Sequence, residues 1–330
     1  MPDPFPSIGI VIPWFGPWSP WTEYFLLSCR ANPSVHWILI SDQPSPANIP
    51  DNVRHIPMKI AEWVRMAEKK LNCRICLNHP YKICDLKPAY GYIFSEYLQE
   101  YAFWGYGDMD LVYGNFCRLL SGSEMDSADV ISTHTGFIPA HFCLLRNTPE
   151  ISRLFMLGGR YKQAFAHPDY LGFDEQLLKF PVRTSSETIE KDKKFIQQRD
   201  QKLSRLTRSK WIYPLKIISK QLINPFRTNR NHIPGDFNTI LRLHHAKKDI
   251  KISYKTRFEC DNMYKKQGIT NWKIKWEKGN LFSENTGEKR DLLYFHFMLS
   301  KQNQNFKIHK PGNLTDEFII SPEGIRPGSL

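Results

Sequence analysis

A chain of 330 residues, 41% apolar and 13% aromatic, can bury enough surface for one large domain or two small ones. Its 24% charged fraction, with only 18 glycines, excludes disordered and fibrous classes. The formal charge of +12 is concentrated, because twelve basic residues face two acidic ones between Lys191 and Arg230, a net +10 that leaves +2 for the rest. The basicity belongs to one segment, so a nucleic-acid-binding fold as a whole is not expected. No stretch approaches the roughly 20 apolar residues of a membrane-spanning helix. Met1 to Pro6 carries Asp3 and prolines in place of a basic start and an apolar run. An odd number of cysteines, seven, fits reduced thiols. The expected location is therefore cytoplasmic.

In chain order, the β-branched run Ile8 to Ile12, stopped by Pro13, predicts a buried parallel strand. Ser19 as N-cap, Pro20 at the first helical position and Glu23 in the first turn predict a helix toward Cys29. Strands follow at Trp37 to Ile40 and Val53 to Met58, then helices at Ile60 to Leu71 and Asp85 to Tyr101, then a strand from Ala102. This alternation predicts an α/β fold with a mostly parallel sheet, flanking helices and ligands at the carboxyl ends of the strands. Further strands are expected at Asp129 to Ser132 and Phe142 to Leu145, and a short helix at Asp174 to Phe180.

The basic segment 191–230 places Leu203, Leu206, Ile212, Leu215, Ile218 and Leu222 at roughly helical intervals, with Pro214 breaking or kinking it. It reads either as a solvated helical insertion or as a surface for an anionic membrane. Beyond it, Asn271 to Trp276, the turn Glu277-Lys278-Gly279-Asn280 and Leu292 to Leu299 predict a smaller antiparallel β portion, and the Pro- and Gly-containing tail after Lys310 predicts irregular structure. The chain thus divides into a core, 1–190, an insertion, 191–230, and a portion, 231–330, that completes the same domain.

The chemistry concentrates in Phe103-Trp104-Gly105-Tyr106-Gly107-Asp108-Met109-Asp110. An apolar strand runs into glycines and then into two carboxylates one residue apart. Such carboxylates repel unless a divalent oxygen-seeking cation, Mg²⁺ or Mn²⁺, lies between them, and Asp108 and Asp110 are the expected ligands. The glycines do not open a helix and lack a third partner, which rules out a dinucleotide fingerprint. Cys73 and Cys76 form a Cys-x-x-Cys with only His79 and Cys84 nearby, a pattern better read as buried small hydrophobes than as zinc ligands.

Tyr81-Lys82-Ile83-Cys84-Asp85-Leu86-Lys87-Pro88-Ala89-Tyr90-Gly91, followed by the Trp104 to Asp110 stretch, resembles bacterial glycosyltransferases of the GT-A fold, in particular a glycosyltransferase-like group associated with capsular and surface polysaccharide synthesis. The resemblance covers roughly residues 7 to 300 and implies that Ile12 to Gly16 line a nucleotide pocket and that the Asp-x-Asp carboxylates bind the metal bridging a sugar nucleotide's diphosphate. It also suggests that Asp85 caps a helix whose first turn aims Lys87 at a phosphate or the donor sugar. The plain alternative is an ordinary N-cap and an exposed lysine. His296 and Lys301 resemble the C-terminal metal-ligating histidine and diphosphate-binding lysine of metal-dependent GT-A enzymes, although the intervening Gly and the following Pro-Trp are missing; a core histidine is the other reading. Asp174 and Glu175 resemble an acidic motif beneath the acceptor, where a carboxylate could deprotonate a hydroxyl, and equally suit a helix's first turn. Thr133, His134 and His141 are candidates for the acceptor cleft.

The expectation is a metal-dependent glycosyltransferase moving a sugar from a nucleotide-diphosphate donor to a hydroxyl of a glycan or lipid-linked glycan, with Mn²⁺ or Mg²⁺ as cofactor, possible peripheral membrane contact through 191–230 and no nucleic-acid partner. The rivals are a GT-A-like protein that binds nucleotide or glycan without turnover, and a basic metal-dependent nuclease.

Overall fold

The computed structural model describes residues 5–135, 137–157, 160–174, 236–285, 287–311 and 316–328. The basic segment 191–230, Glu175 and the helix expected from Asp174 to Phe180 beyond its first residue lie outside them.

A seven-stranded sheet forms the centre, in the order β3-β2-β1-β4-β7-β6-β8. Its strands are β1 (Ile8–Trp14), β2 (Val35–Ser41), β3 (Val53–Pro57), β4 (Phe103–Gly107), β6 (Val130–Ser132), β7 (Phe142–Arg146) and β8 (Ile252–Tyr254). β1 pairs in parallel with β2 and β4, β2 with β3, and β6 with β8, while β7 runs antiparallel to β4 and β6. This is the mixed α/β architecture with a mostly parallel sheet that the alternation of strands and helices predicts. The continuous apolar runs follow from burial on both faces. On one face Val11, Ile38 and Ile40 pack with Trp63, Ala67 and Leu71 of α2 (Ile60–Leu71). On the other, Ile10, Ile12, Trp37 and Leu39 pack with Phe25, Leu26 and Cys29 of α1 (Thr22–Arg30). Each such large apolar side chain contributes about 1.5–3 kcal/mol when fully buried.

A second, three-stranded sheet, in the order β5-β13-β9, joins β5 (Leu111–Tyr113), β9 (Phe258–Cys260) and β13 (Tyr294–His296). It couples two cores, because Leu111, Tyr113 and Tyr294 pack beneath the large sheet, whereas Val112 and Phe295 turn to a third cluster. That cluster is covered by a six-stranded sheet, β12-β11-β10-β15-β16-β14, formed by β10 (Ile274–Glu277), β11 (Asn280–Ser283), β12 (Arg290–Asp291), β14 (Lys307–Ile308), β15 (Glu317–Ser321) and β16 (Gly324–Pro327). Lys278 and Gly279, both with positive φ, make the tight turn between β10 and β11. Residues beyond 236 therefore complete the large sheet through β8 as well as building the antiparallel portion.

Four local expectations are corrected. Ser19 does not cap α1; its carbonyl instead accepts the Thr22 N–H at 3.0 Å in a turn, and α1 begins at Thr22. The helix expected from Asp85 to Tyr101 is broken into a 3-10 run, Pro80–Ala89, one α-turn, Tyr90–Ile93, and a second 3-10 turn, Ser95–Tyr97. Pro88 removes a donor within that run. Leu292 to Leu299 contributes only the three-residue β13, which pairs with β5 and β9 and not with the β10–β11 hairpin. The tail after Lys310 is not irregular throughout: alternating Phe318 and Ile320 bury one face of β15 against Trp276 and Ile274.

Candidate metal centre

β1, β2, β4 and β6 point their carboxyl ends the same way, and β7, reversed, begins at that edge. The edge thus collects the loop after β1, Asp108 to Asp110 after β4, Thr133 after β6 and His141 before β7. Gly105 and Gly107 end β4 where side chains have no room; a Cβ at Gly105 would lie 2.6 Å from the Cys143 carbonyl oxygen of β7. Met109, 1% exposed, plunges into the core, and the Trp21 indole N–H donates to its carbonyl at 2.9 Å. On either side of the inward Met109, Asp108 is half-buried and Asp110 is buried against His296.

His296 arrives through register. β13 runs antiparallel to β5 with His296 opposite Leu111, the residue after Asp110. Its Nε2 lies 3.1 Å from Asp110 Oδ2. Asp108, Asp110 and His296 each present a ligand atom within 4.8 Å of the others, a group suited to a metal ion. The aspartates and His296, separated by 186 residues in the case of Asp110, are brought together as the sequence motifs suggest.

Two lysines close on the same carboxylates. Lys87, 4% exposed, donates to Asp108 Oδ1 at 2.6 Å and to the Ala140 carbonyl at 3.0 Å. Burial disfavours its ammonium, but the adjacent Asp108 charge leads the opposing contributions that raise its pKa well above the ordinary value. Lys301 donates to Asp110 Oδ2. Burial alone would push the Asp110 carboxyl up; the adjacent His296 and Lys301 together reverse this and hold it well below the usual carboxylate range. Lys301 sits on a short 3-10 turn, Ser300–Gln302, fixed by Asp261. One oxygen of the Asp261 carboxylate accepts the Leu299 N–H at 2.8 Å, the Ser300 N–H at 2.6 Å and the Ser300 hydroxyl at 2.8 Å.

Behind His296 runs a polar chain. The His141 ring, tilted by 44°, has its centroid 4.4 Å from that of His296, its Nε2 lies 3.0 Å from the Tyr294 hydroxyl, and that hydroxyl lies 2.6 Å from Thr133 Oγ1. Burial, then the neighbouring His296 and Lys87, push the His141 pKa well below its ordinary value, so the ring is neutral. Thr133 is fully buried. His134 packs on Phe137, with ring centroids 3.9 Å apart.

Other sequence candidates fall elsewhere. Asp85 caps no helix; it lies within the 3-10 run. It is fully buried, paired with Lys82 Nζ at 2.6 Å, and it accepts the Leu171 and Phe173 backbone N–H groups at 2.8 and 2.7 Å. With no helix starting there, Lys87 reaches the site from within the 3-10 run and meets Asp108. Ile12, 2% exposed, is a core side chain, so only the backbone of its strand end reaches the carboxyl edge. Beyond it Gly16, at φ 107°, donates its N–H to Asp42 Oδ1 at 3.0 Å, tying the loop after β1 to the end of β2. Asp174 is 1% exposed and accepts the Tyr170 hydroxyl at 2.8 Å; Glu175 lies outside the described residues. Cys73, Cys76, Cys84 and His79 do not gather into a ligand group; among the described residues that group is Asp108, Asp110 and His296. Asp261 and Trp21 escaped sequence reasoning, since neither carries a motif and both act through contacts with distant backbone. No helix among the described residues is long and apolar enough to cross a membrane.

Solved structures with some similarity include the galactosyltransferase LgtC in complex with donor and acceptor sugar analogs, at 10% identity and a TM-score of 0.30. That match covers 48% of this chain and 64% of LgtC, so the chain spans less than two thirds of that protein's length. Mouse xyloside xylosyltransferase 1 in its apo form matches at 10% identity and a TM-score of 0.42, over 91% of this chain and 99% of that one. No curated protein matches the sequence. A family model does match, over residues 10–218, and the chain belongs to that family of unknown function, DUF6625.

Proposed function

We propose that this protein is a metal-dependent glycosyltransferase of the GT-A type, which moves a sugar from a nucleotide-diphosphate donor to a hydroxyl of a glycan in surface polysaccharide synthesis. The observation that carries the reading is the convergence of Asp108, Asp110 and His296, with Lys87 and Lys301 against the two carboxylates, at the carboxyl edge of a mostly parallel sheet. The donor set fits the implied ion: two carboxylates and one imidazole suit Mn²⁺ or Mg²⁺, with positions left for phosphate oxygens. Such an ion, when bound, neutralises charge on the departing diphosphate.

The chain's own groups supply the rest. Asp110 is held as the carboxylate, and Lys87 and Lys301 bring two further positive charges to where a leaving group's charge would develop. The neutral His141, linked to Tyr294 and Thr133, fixes the wall behind His296 and is a candidate for the acceptor side. Asp174 and Glu175 are the candidates for holding or deprotonating the acceptor hydroxyl. Peripheral membrane contact through residues 191–230 and a cytoplasmic location belong to the same proposal.

The test is a thermal-shift screen of UDP-, GDP- and CMP-sugars with and without Mn²⁺, followed by donor hydrolysis. One donor should stabilise the fold only with the ion, and Asp110→Asn should abolish both stabilisation and hydrolysis. Stabilisation without hydrolysis would favour the rival reading of a binding protein; ion-independent binding of every donor would sink the metal centre.

A further inference from the structure

The two lysines are paired with the same two carboxylates that an incoming cation needs. Lys301 Nζ and His296 Nε2 both address Asp110 Oδ2, and Lys87 Nζ addresses Asp108 Oδ1. Two carboxylates and two ammonium groups leave the cluster electrically neutral. A dication alone competes with the ammonium groups for these carboxylates and would leave the cluster with two uncompensated positive charges. A dication arriving with a doubly charged diphosphate diester restores neutrality, because the released ammonium groups gain phosphate oxygens as partners.

We propose that Lys87 and Lys301 act as built-in counterions that hold the acidic pair closed and make ion and diphosphate load together. This rests on the glycosyltransferase reading and adds an order to its binding steps. Lys301 is the mobile member, since its side chain is 28% exposed and can swing outward, whereas the Lys87 side chain is 5% exposed and also tied to the Ala140 carbonyl. The clamp of Asp261 on Leu299 and Ser300 keeps the backbone under Lys301 in place while its side chain changes partner.

The test uses Mn²⁺ alone and Mn²⁺ with inorganic pyrophosphate on the full chain. Lys301→Met should bind Mn²⁺ alone about tenfold more tightly than wild type, by electron paramagnetic resonance of the free ion, a change corresponding to about 1.4 kcal/mol. In thermal melts, Mn²⁺ and pyrophosphate together should stabilise wild type by more than the sum of their separate effects, and Lys301→Met should lose that excess. Lys301→Arg, which keeps the charge, should retain wild-type behaviour, and because methionine keeps a long unbranched stem, the difference between the two variants reports the charge and not lost packing. Equal Mn²⁺ affinity in wild type and Lys301→Met overturns the counterion role and leaves the metal centre standing. Absence of Mn²⁺ binding in both, with Asp110→Asn indistinguishable from them, overturns the glycosyltransferase reading as well.

Discussion

Replacing Asp85 separates a structural residue from a ligand-binding one. Lys82 and Asp85 are both fully buried, and the Lys82 ammonium also donates to the Ala164 carbonyl at 2.7 Å. Asp85→Ala strands that ammonium in the core, and removing one member of a buried ion pair costs about 3–5 kcal/mol. The Leu171 and Phe173 N–H groups lose their acceptors in the same step, at about 1–3 kcal/mol for each one left unsatisfied. Against a total stability of roughly 5–15 kcal/mol, the variant should be barely folded. Taking only the ion-pair figure, at roughly 2–4 °C per kcal/mol, the melting temperature should fall by roughly 6–20 °C. Adding Lys82→Met to Asp85→Ala removes the stranded charge and should recover part of the loss, a coupling that a double-mutant cycle in urea measures. The reasoning is refuted if Asp85→Ala melts within about 2 °C of wild type, or if the double variant is less stable than Asp85→Ala.

Glu124 sets an acid limit on stability. Burial pushes its carboxyl up, but Arg257, with Ser253 and Lys255, outweighs this and places it below the ordinary value of 4.5. A depressed folded-state pKa gives stability that is present above 4.5 and lost as pH falls through the lower folded value, so Glu124→Gln should flatten the acid side of a urea-midpoint profile against pH. A methyl at Gly91 would overlap the Trp104 indole in the core, so Gly91→Ala should cost about 1–3 kcal/mol by overpacking; an unchanged urea midpoint would contradict the packing described. Asp261→Ala should free the turn that carries Lys301, raising hydrogen exchange at the Leu299 and Ser300 amides by about tenfold or more while leaving exchange in β1 and β2 as it was.

What the sequence discloses follows from the range of the forces involved. β1, β2 and α2 are local in origin: continuous β-branched runs and a helical apolar stripe of Trp63, Ala67 and Leu71 specify themselves, and α2 occupies the very residues expected. The Asp-x-Asp site is legible because strand, glycines and carboxylates are adjacent in sequence. Asp85 misleads because its partners include Leu171 and Phe173, 86 and 88 residues away, which no local pattern around Pro80–Ala89 discloses. The same applies to Lys87, whose partner Asp108 is 21 residues on, and to Tyr294, which meets Thr133 across 161 residues. β15 hides behind neighbouring prolines and glycines, and only the facing Trp276 and Ile274 give its alternation meaning.

The threading of β13 between β5 and β9 also bears on biosynthesis. Asp108 and Asp110 leave the ribosome long before His296, and the short strand that delivers the imidazole finds its seat only once residues 258–260 are also in place. A nascent chain halted before residue 290 would carry an acidic pair without its nitrogen donor. In the reading proposed above, an ion that needs all three donors is captured only after β13 has paired, so its capture follows the folding of this sheet and does not seed it.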